Sequence, residues 1–394
     1  MFNYARSSIA ACLIAASCFT QAEITPDLTK VDYTLPEVKV SPDGKYLGLA
    51  LVNEGRRSLV VVETETFKTV GGVNFGDFQD VGNFYWATDE RLITEILHRE
   101  EWNPNAKYYG ELYSIDFDGK HGEMIYGFRA GEQQTGSVRK VREDIYGWAR
   151  IVSLMPNDPK HILISSTLIP DGSDLLTERQ QRDKISIDQM KGLHSTVHRL
   201  NIHTGKLSPS KARSPAPNAK MFANDDGELL YAIGGNGDSQ ELYAYTDDDW
   251  KLMNIGQGGE YTPLGFDKDY SKLVYIDNPE GKDSCVYEYS FSTQSSQQLG
   301  DICGVNAEYV QSCAEFKTAY AVKIANSADY QMLTQDSKEA NFFASVYELF
   351  AGHEIDITSG SEDGTYWVVR ASNEETPVSY YLYNGNSNQF NKLL

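Results

Sequence analysis

The feature that most constrains this chain is a short unit of turn, strand, loop and strand that recurs along it. The unit is clearest in residues 40–66, where Pro42, Asp43 and Gly44 form a turn, because proline fixes φ and glycine accepts a positive φ. The strand that follows, residues 47–52, is apolar on both faces and must therefore be covered on both faces. Since a lone hairpin is marginally stable in water, this unit requires copies stacked on either side.

Further copies of the unit follow at intervals typical of propeller blades. The best matches begin near Asp43, Asp89, Asp158, Asp226, Asp267 and Asp363. The interval between Asp267 and Asp363 is about as long as two repeats, which predicts a degraded unit near Glu315. The sequence therefore predicts an all-β fold, a β-propeller of seven four-stranded blades. A sandwich of unrelated hairpins is the alternative.

The first residues are typical of a secretory signal peptide. Arg6 is the only charge ahead of an apolar run over residues 9–19, and Thr20, Gln21 and Ala22 offer a cleavage site. We therefore expect a signal peptide over 1–22, cleavage after Ala22, and a propeller domain over 23–394 in the periplasm or outside the cell. A second interpretation is a lipoprotein cleaved at Cys18.

The strongly acidic composition limits the class of partner. The formal net charge of −21 would repel phosphate backbones and anionic lipids, so nucleic acid is not expected as a partner. No second long apolar stretch follows the signal, so no membrane span is expected.

Three cysteines remain once the signal is removed, namely Cys285, Cys303 and Cys313. An odd number in an oxidising compartment predicts one disulfide and one free thiol. Residues 285–291 and 297–303 are typical of two paired strands, and the register that pairs Phe291 with Gln297 also places Cys285 opposite Cys303. The sequence therefore predicts a Cys285–Cys303 disulfide.

No catalytic, cofactor or metal site is predicted from motifs. The nucleophile elbow G-x-S-x-G is absent, and Gly360–Gly364 places its serine, Ser361, in a hairpin turn. His194 and His198 are four apart, but on a strand that spacing is about 13 Å, too far for two ligands of one zinc ion.

Two charged segments are interpreted as surface features. The adjacent residues Asp247, Asp248 and Asp249 lack the spaced oxygens of a calcium loop, which favours a solvated hairpin tip. Residues 171–192 are charged, have little apolar face, and are predicted to be a surface insertion.

Several stretches together resemble a known family. In order they are VSPDGKYLGLAL, VGNFYWATDERLIT, GELYSIDFDGK, STVHRLNIHTGK and a final stretch that ends TPVSYYLYN. They are similar to the N-terminal propeller of the prolyl oligopeptidase (S9) serine peptidases, especially the bacterial exported, acylaminoacyl-peptidase-like members. In that family the propeller restricts access to an α/β-hydrolase domain that carries the Ser-Asp-His triad.

This sequence ends where the hydrolase domain of that family should begin, so no catalytic residue of the family has a matching position here. The resemblance implies a non-catalytic, substrate-gating propeller whose partners are peptides or a separately encoded α/β-hydrolase domain. The alternative is a free-standing periplasmic propeller that serves in binding or as a scaffold.

Overall fold

The described part of the chain is built mainly from β-strands. The computed structural model describes residues 34–76, 78–100, 103–131, 144–168, 193–235, 240–255, 260–267, 269–278, 283–312, 319–324, 330–334, 337–373, 375 and 377–393. These residues form seven antiparallel sheets, each built from strands that are consecutive in the sequence. Among the residues that the structure describes, neither the first nor the last sheet contains a strand from the other end of the chain.

Six of the sheets have four strands and are the blades of a propeller. Blades 1 to 3 comprise β1 (Thr34–Val40), β2 (Tyr46–Asn53), β3 (Arg56–Glu63), β4 (Thr69–Val73), β5 (Gln79–Trp86), β6 (Arg91–Glu100), β7 (Asn103–Asp116), β8 (Glu123–Tyr126), β9 (Gly147–Ser153), β10 (His161–Leu168), β11 (Thr196–Asn201) and β12 (Ala212–Arg213). Blades 4, 5 and the C-terminal blade comprise β13 (Lys220–Ala223), β14 (Leu229–Gly234), β15 (Glu241–Thr246), β16 (Asp249–Met253), β17 (Glu260–Phe266), β18 (Lys272–Asn278), β19 (Cys285–Ser290), β20 (Ser295–Cys303), β24 (Glu354–Gly360), β25 (Tyr366–Ser372), β26 (Ser379–Asn384) and β27 (Gln389–Leu393).

The seventh sheet has three described strands and a helix. Its strands are β21 (Val305–Ser312), β22 (Ala319–Ile324) and β23 (Tyr330–Met332), followed by α1 (Lys338–Val346) and a 3-10 helix (Tyr347–Phe350). The helix packs between this sheet and the C-terminal blade. The structure therefore has six four-stranded blades, and the prediction of seven was wrong by this one sheet.

The helix forms here because its sequence supplies a cap and an apolar stripe. The Ser337 hydroxyl accepts the N–H of Ala340 at 3.0 Å, which satisfies one of the free donors of the first turn. Phe342 then stacks on Trp367 of the C-terminal blade with ring centroids 4.9 Å apart, and Phe343 lies 5.3 Å from Tyr320 of the three-stranded sheet.

The first strand of each blade lies nearest the propeller axis. Neighbouring first strands contact each other, as β1 does with β5 and β24, and as β9 does with β13. Because strands alternate in direction, the first strands all begin at one face of the ring, which we call the start face. Connections between second and third strands, and between blades, also lie at the start face. The turns after first and third strands lie at the opposite face.

The predicted two-sided burial of the second strand of blade 1 is confirmed. Leu47, Leu49 and Leu51 pack against the C-terminal blade, while Ala50 packs against blade 2. Gly48 also faces blade 2, where an added Cβ would lie 2.6 Å from Cε2 of Phe84. Small residues on one side of the strand thus let the two blades approach.

The positions of the repeated turns were predicted correctly. Each predicted unit begins at the turn between the first and second strands of a blade, and the one near Glu315 falls between β21 and β22, outside the described residues. Ser41 and Ser361 show why the motif recurs, because each hydroxyl accepts a backbone N–H five residues on, at 3.0 and 2.9 Å.

The short outermost strands were missed. The strands β8, β12 and β27 lie outside the third strands of their blades, β7, β11 and β26, and were not located from the sequence. The edge strands β8 and β12 have only four and two residues, too few to show the periodic apolar pattern that predicts a strand.

Candidate functional site

A β-bulge interrupts the first strand of blade 2, close to the propeller axis. Val81 pairs with Ile96 and Phe84 pairs with Thr94, so Gly82 and Asn83 together oppose the single residue Glu95. Asn83 is exposed on this innermost strand. Bulges of this kind redirect side chains and are frequent beside functional sites.

Glycine is required at the bulge because the Glu95 side chain crosses the strand there. A Cβ added to Gly82 would lie 2.7 Å from the Cβ of Glu95 and 3.1 Å from its carbonyl oxygen. The backbone N–H of Asn83, on the exposed side of the strand, donates to Oε2 of Glu95 at 3.4 Å. The bulge thus leaves room for the carboxyl group of a second-strand residue to contact the backbone of the first strand.

The Glu95 carboxyl group lies in an environment that disfavours its charge. Burial raises the pKa of Glu95, the Asn83 N–H opposes that shift, and the negative charge of Glu37 adds to it. Lys39 and Arg57 lower the pKa by a smaller amount, so the net shift is upward. No ion pair joins Glu95 to a cation within the part of the chain that the structure describes.

The two nearby cations are already held by other groups. Lys39 donates to Oε1 of Glu37 and to the carbonyl oxygen of Phe84, both at 2.6 Å, and its ammonium lies 4.4 Å from the ring centre of Tyr85. Arg57 donates to the other oxygen of Glu37 at 3.0 Å. We call Glu37, Lys39, Arg57, Tyr85 and Glu95 the blade 1–2 cluster.

A second buried carboxylate lies nearby in blade 2 but is fully paired. Glu111 has no exposed surface, and its oxygens accept from Nε2 of His98 at 2.6 Å and from Arg129 at 2.8 and 2.5 Å. Burial would raise the pKa of Glu111, but these hydrogen bonds outweigh it and hold the pKa below its ordinary value. This group stabilises the blade rather than offering a free charge.

The predicted turn serine is engaged in the turn. Ser361 is buried, its hydroxyl donates to Asp363 at 2.6 Å and accepts from the N–H of Tyr366. Another serine, Ser214, lies 3.4 Å from Nδ1 of His194, but Ser214 is buried and its hydroxyl already accepts the N–H of Ser195 at 3.1 Å. Neither arrangement presents a serine hydroxyl to solvent.

The candidate metal residues occupy structural positions. His198 lies in strand β11, where its Nε2 contacts the hydroxyl of Thr196 and its Nδ1 the carbonyl oxygen of Ser208, both at 2.9 Å. Asp247 and Asp248 form the predicted hairpin tip, both with positive φ. Among the described residues, no group of three or more His, Cys, Asp or Glu side chains could hold a metal ion.

Cys285 and Cys303, the pair expected from the sequence, are joined by a disulfide. The predicted register of their hairpin was wrong, because Ser290 pairs with Ser295 and three additional residues of β20 bulge out before Cys303. Gly300, with a φ of 52°, lies within that bulge. Cys313 and the insertion at 171–192 lie outside the described residues.

The large exposed apolar side chains are concentrated at the start face. Of the six in the described residues, five lie in connections or strand ends at that face, and the sixth, Leu252, lies on an outermost strand. The five are Phe78, Tyr146, Leu168, Leu349 and Val378. The first strand, β1, begins at this face, and the last strand, β27, ends at it. No helix in the described part of the chain is long and apolar enough to cross a membrane.

Solved structures share this fold. Over 92% of its residues, the chain is similar to a prolyl endopeptidase, with a TM-score of 0.52 and 12% sequence identity. In fold, it is similar to a peptidase propeller. The predicted resemblance is thereby confirmed at the level of the fold. The chain spans about half of that enzyme, 49% of its length.

Two further similarities are weaker. The acylaminoacyl peptidase of Pyrococcus horikoshii matches over 95% of this chain and 54% of its own, with 10% identity and a TM-score of 0.47. The propeller domain of the Trilobed protease from Pyrococcus furiosus matches over 92% of this chain and 98% of its own, with 9% identity and a TM-score of 0.46. No protein-family model and no curated protein matches the sequence.

Proposed function

We propose that this chain is the substrate-gating propeller of an S9-type serine peptidase and is not catalytic by itself. The observation that carries the proposal is the fold similarity to a prolyl endopeptidase over 92% of the chain. The sequence also lacks the nucleophile elbow G-x-S-x-G. Acyl transfer requires a nucleophile, a base and an oxyanion hole held together, and a separate α/β-hydrolase domain would supply them.

The start face is the surface where the hydrolase domain would dock. Five of the six large exposed apolar side chains lie there, and such concentrations mark interaction sites. Any segment attached to either end of the propeller also emerges at this face, because the first strand begins and the last strand ends there. A hydrolase domain at this position would receive only substrates that pass the propeller.

The docking face can be tested with a matched pair of variants. Leu349→Ser removes an apolar side chain that is 68% exposed at the start face, while Leu252→Ser removes one that is 54% exposed on an outer strand. We expect an S9-type α/β-hydrolase domain, produced separately from the same source, to bind the unaltered chain and the Leu252→Ser variant but to lose affinity for Leu349→Ser.

The gating role can be tested on the same complex. Addition of the propeller is expected to leave hydrolysis of a short chromogenic peptide by the hydrolase domain intact and to suppress its hydrolysis of unfolded casein. A hydrolase domain that binds without any change in size preference would support the alternative, a propeller that serves as a scaffold.

We further propose that the protein works in the periplasm or outside the cell. The Cys285–Cys303 disulfide fits an oxidising compartment. Export with cleavage after Ala22 predicts that the purified mature protein begins at Glu23, which amino-terminal sequencing can check. A lipid-modified amino terminus at Cys18 would favour the lipoprotein alternative.

A further inference from the structure

Asp277, in the second strand of blade 5, carries a buried carboxyl group with an unmet oxygen. The residue is 3% exposed, and its Oδ1 has no hydrogen-bond partner within the part of the chain that the structure describes. The nearby hydroxyl groups are engaged elsewhere, because that of Tyr275 donates to Oγ of Ser296 at 2.8 Å and that of Tyr261 contacts the backbone of Leu242. A buried acceptor without a donor destabilises the protein, so a state that supplied a donor would be favoured.

Asp277 lies directly across the sheet from one end of the disulfide. It pairs with Cys285 of β19, which in turn pairs with Cys303 of β20. Residues that oppose each other in antiparallel strands have their side chains on the same face, with Cβ atoms about 5 Å apart. The carboxyl group and the two cysteines therefore form one row on a single face of blade 5.

The two sulfur atoms of the disulfide have different polar neighbours. Sγ of Cys303 lies 3.7 Å from Nε2 of Gln298, which is an N–H donor, whereas Sγ of Cys285 lies 3.6 Å from the carbonyl oxygen of Asp283. A donor stabilises a thiolate, while oxygen acceptors favour the protonated thiol. On reduction, Cys303 would therefore be the better thiolate, and Cys285 would be a thiol with an S–H to donate.

We propose that Cys285–Cys303 is a redox-active disulfide and that Asp277 stabilises its reduced form by accepting the S–H of Cys285. In the disulfide neither sulfur carries a proton, so Oδ1 of Asp277 is left without a donor, and the reduced Cys285 supplies one. Once the S–S bond is broken, rotation of the Cys285 side chain about χ1 brings its sulfur within reach of the carboxyl group. This proposal does not depend on the peptidase assignment.

The reductant is an external dithiol, such as a thiol–disulfide oxidoreductase with two cysteines. Both cysteines of this chain are partly exposed, which leaves the bond accessible. One thiolate of the reductant attacks Sγ of Cys285, the S–S bond breaks, and Cys303 leaves as a thiolate beside Gln298. The second thiol of the reductant then attacks the mixed disulfide and releases Cys285. Two electrons and two protons pass to the protein, and the reductant becomes a disulfide.

Reduction would release the bulged segment of β20. Residues 299–302 face the single residue Val286 across the hairpin, and this bulge ends at Cys303. Beyond it, the N–H of Gly304 donates to the carbonyl oxygen of Ser284 at 2.8 Å. Without the S–S bond the segment loses its covalent anchor, so its backbone amides should exchange their hydrogens faster in the reduced protein.

The test compares the reduction equilibrium of the full chain with that of Asp277→Leu, in which an apolar side chain replaces the acceptor. Each protein is equilibrated at pH 7 with mixtures of reduced and oxidised dithiothreitol, and the free thiols are alkylated and located by mass spectrometry. We expect the disulfide of Asp277→Leu to be about tenfold harder to reduce, which is about 30 mV for a two-electron couple. Asp277→Asn, which keeps a carbonyl oxygen, should lie between the two.

A matched control and a second measurement keep the proposal falsifiable. Glu288→Gln removes a carboxylate from the opposite face of β19 and should leave the equilibrium unchanged. Infrared spectra of the reduced, unaltered protein should contain an S–H stretching band at lowered frequency that is absent from Cys285→Ser.

Three results would overturn the proposal. The first is an Asp277→Leu variant whose disulfide is reduced as easily as that of the unaltered chain, or more easily. The second is a Glu288→Gln variant that shifts the equilibrium as much as Asp277→Leu. The third is a reduced protein with no lowered S–H band that depends on Cys285, a readout that remains if Asp277→Leu does not fold. None of these outcomes bears on the docking of a hydrolase domain.

Discussion

The backbone N–H of Val40 donates to the Ser359 hydroxyl oxygen at 2.8 Å, although 319 residues separate the two along the chain. The neighbouring Thr358 hydroxyl donates to the carbonyl oxygen of Val38 at the same distance. These bonds join the first strand of blade 1 to the first strand of the C-terminal blade, and an apolar core that includes Val368 and Leu382 packs beside them. Within the described part of the chain, side-chain contacts close the ring and the two blades share no strand.

Removal of this contact should weaken the closed ring. Val40 is buried, so Ser359→Ala leaves its N–H without a partner, and we expect a loss of about 1–2 kcal/mol in the free energy of unfolding. Urea denaturation followed by tryptophan fluorescence measures this. Ser387→Ala, on an exposed turn, is the control and should change stability little. Equal stability of both variants would show that the hydrogen bond contributes nothing to closure.

The disulfide should make a larger contribution. The linked residues are 18 apart, and closure of a loop of this size stabilises a protein by about 3 kcal/mol in the chain-entropy model. We expect Cys285→Ser with Cys303→Ser to lower the free energy of unfolding by about that amount, and dithiothreitol to destabilise the unaltered chain but not the double variant. Peptide mapping without reduction that found Cys303 linked to Cys313 would contradict the assignment.

The buried carboxylate Glu111 should make stability depend on pH. Its pKa in the folded protein lies below the ordinary value of 4.5, so the stabilisation is present above pH 4.5 and is lost as pH falls through the folded pKa. Glu111→Gln leaves Arg129 and His98 without a carboxylate and should cost about 3 kcal/mol at pH 7. The difference between the two proteins should shrink below pH 4, as thermal melts over a pH series would show.

Glu95 should behave in the opposite way. Its folded pKa is raised, so the ionised group destabilises the fold at neutral pH, and the penalty disappears as pH falls below the ordinary value of 4.5. Glu95→Gln is therefore expected to raise the melting temperature at pH 7 and to have no such advantage at pH 4. A lower melting temperature at pH 7 would mean that the carboxylate has a stabilising partner.

The sequence predicted the propeller well because its turns have strong local chemistry. A serine or asparagine, an aspartate and a glycine occur where three of the blades turn from the first to the second strand, at Ser41–Gly44, Asn224–Gly227 and Ser361–Gly364. These interactions lie within a few residues, so the sequence specifies them directly.

Two features were missed for different reasons. The sequence contains a signal that predicts helix α1, because Ser337 can cap its first turn and Phe342, Phe343 and Val346 follow at helical spacing. The bulge opposite Glu95 had a weaker signal, a glycine inside a strand pattern. Which side chain such a bulge redirects depends on the partner strand, and a single strand does not contain that information.

The central claim, that this chain needs a separate domain for catalysis, is tested most directly by assay of the purified chain alone. The measurements are hydrolysis of short chromogenic peptides and covalent labelling with a serine-reactive fluorophosphonate. We predict no turnover and no labelled serine, because no nucleophile elbow occurs in the sequence. Turnover that persists through rigorous purification, together with a labelled serine mapped to this chain, would contradict the account.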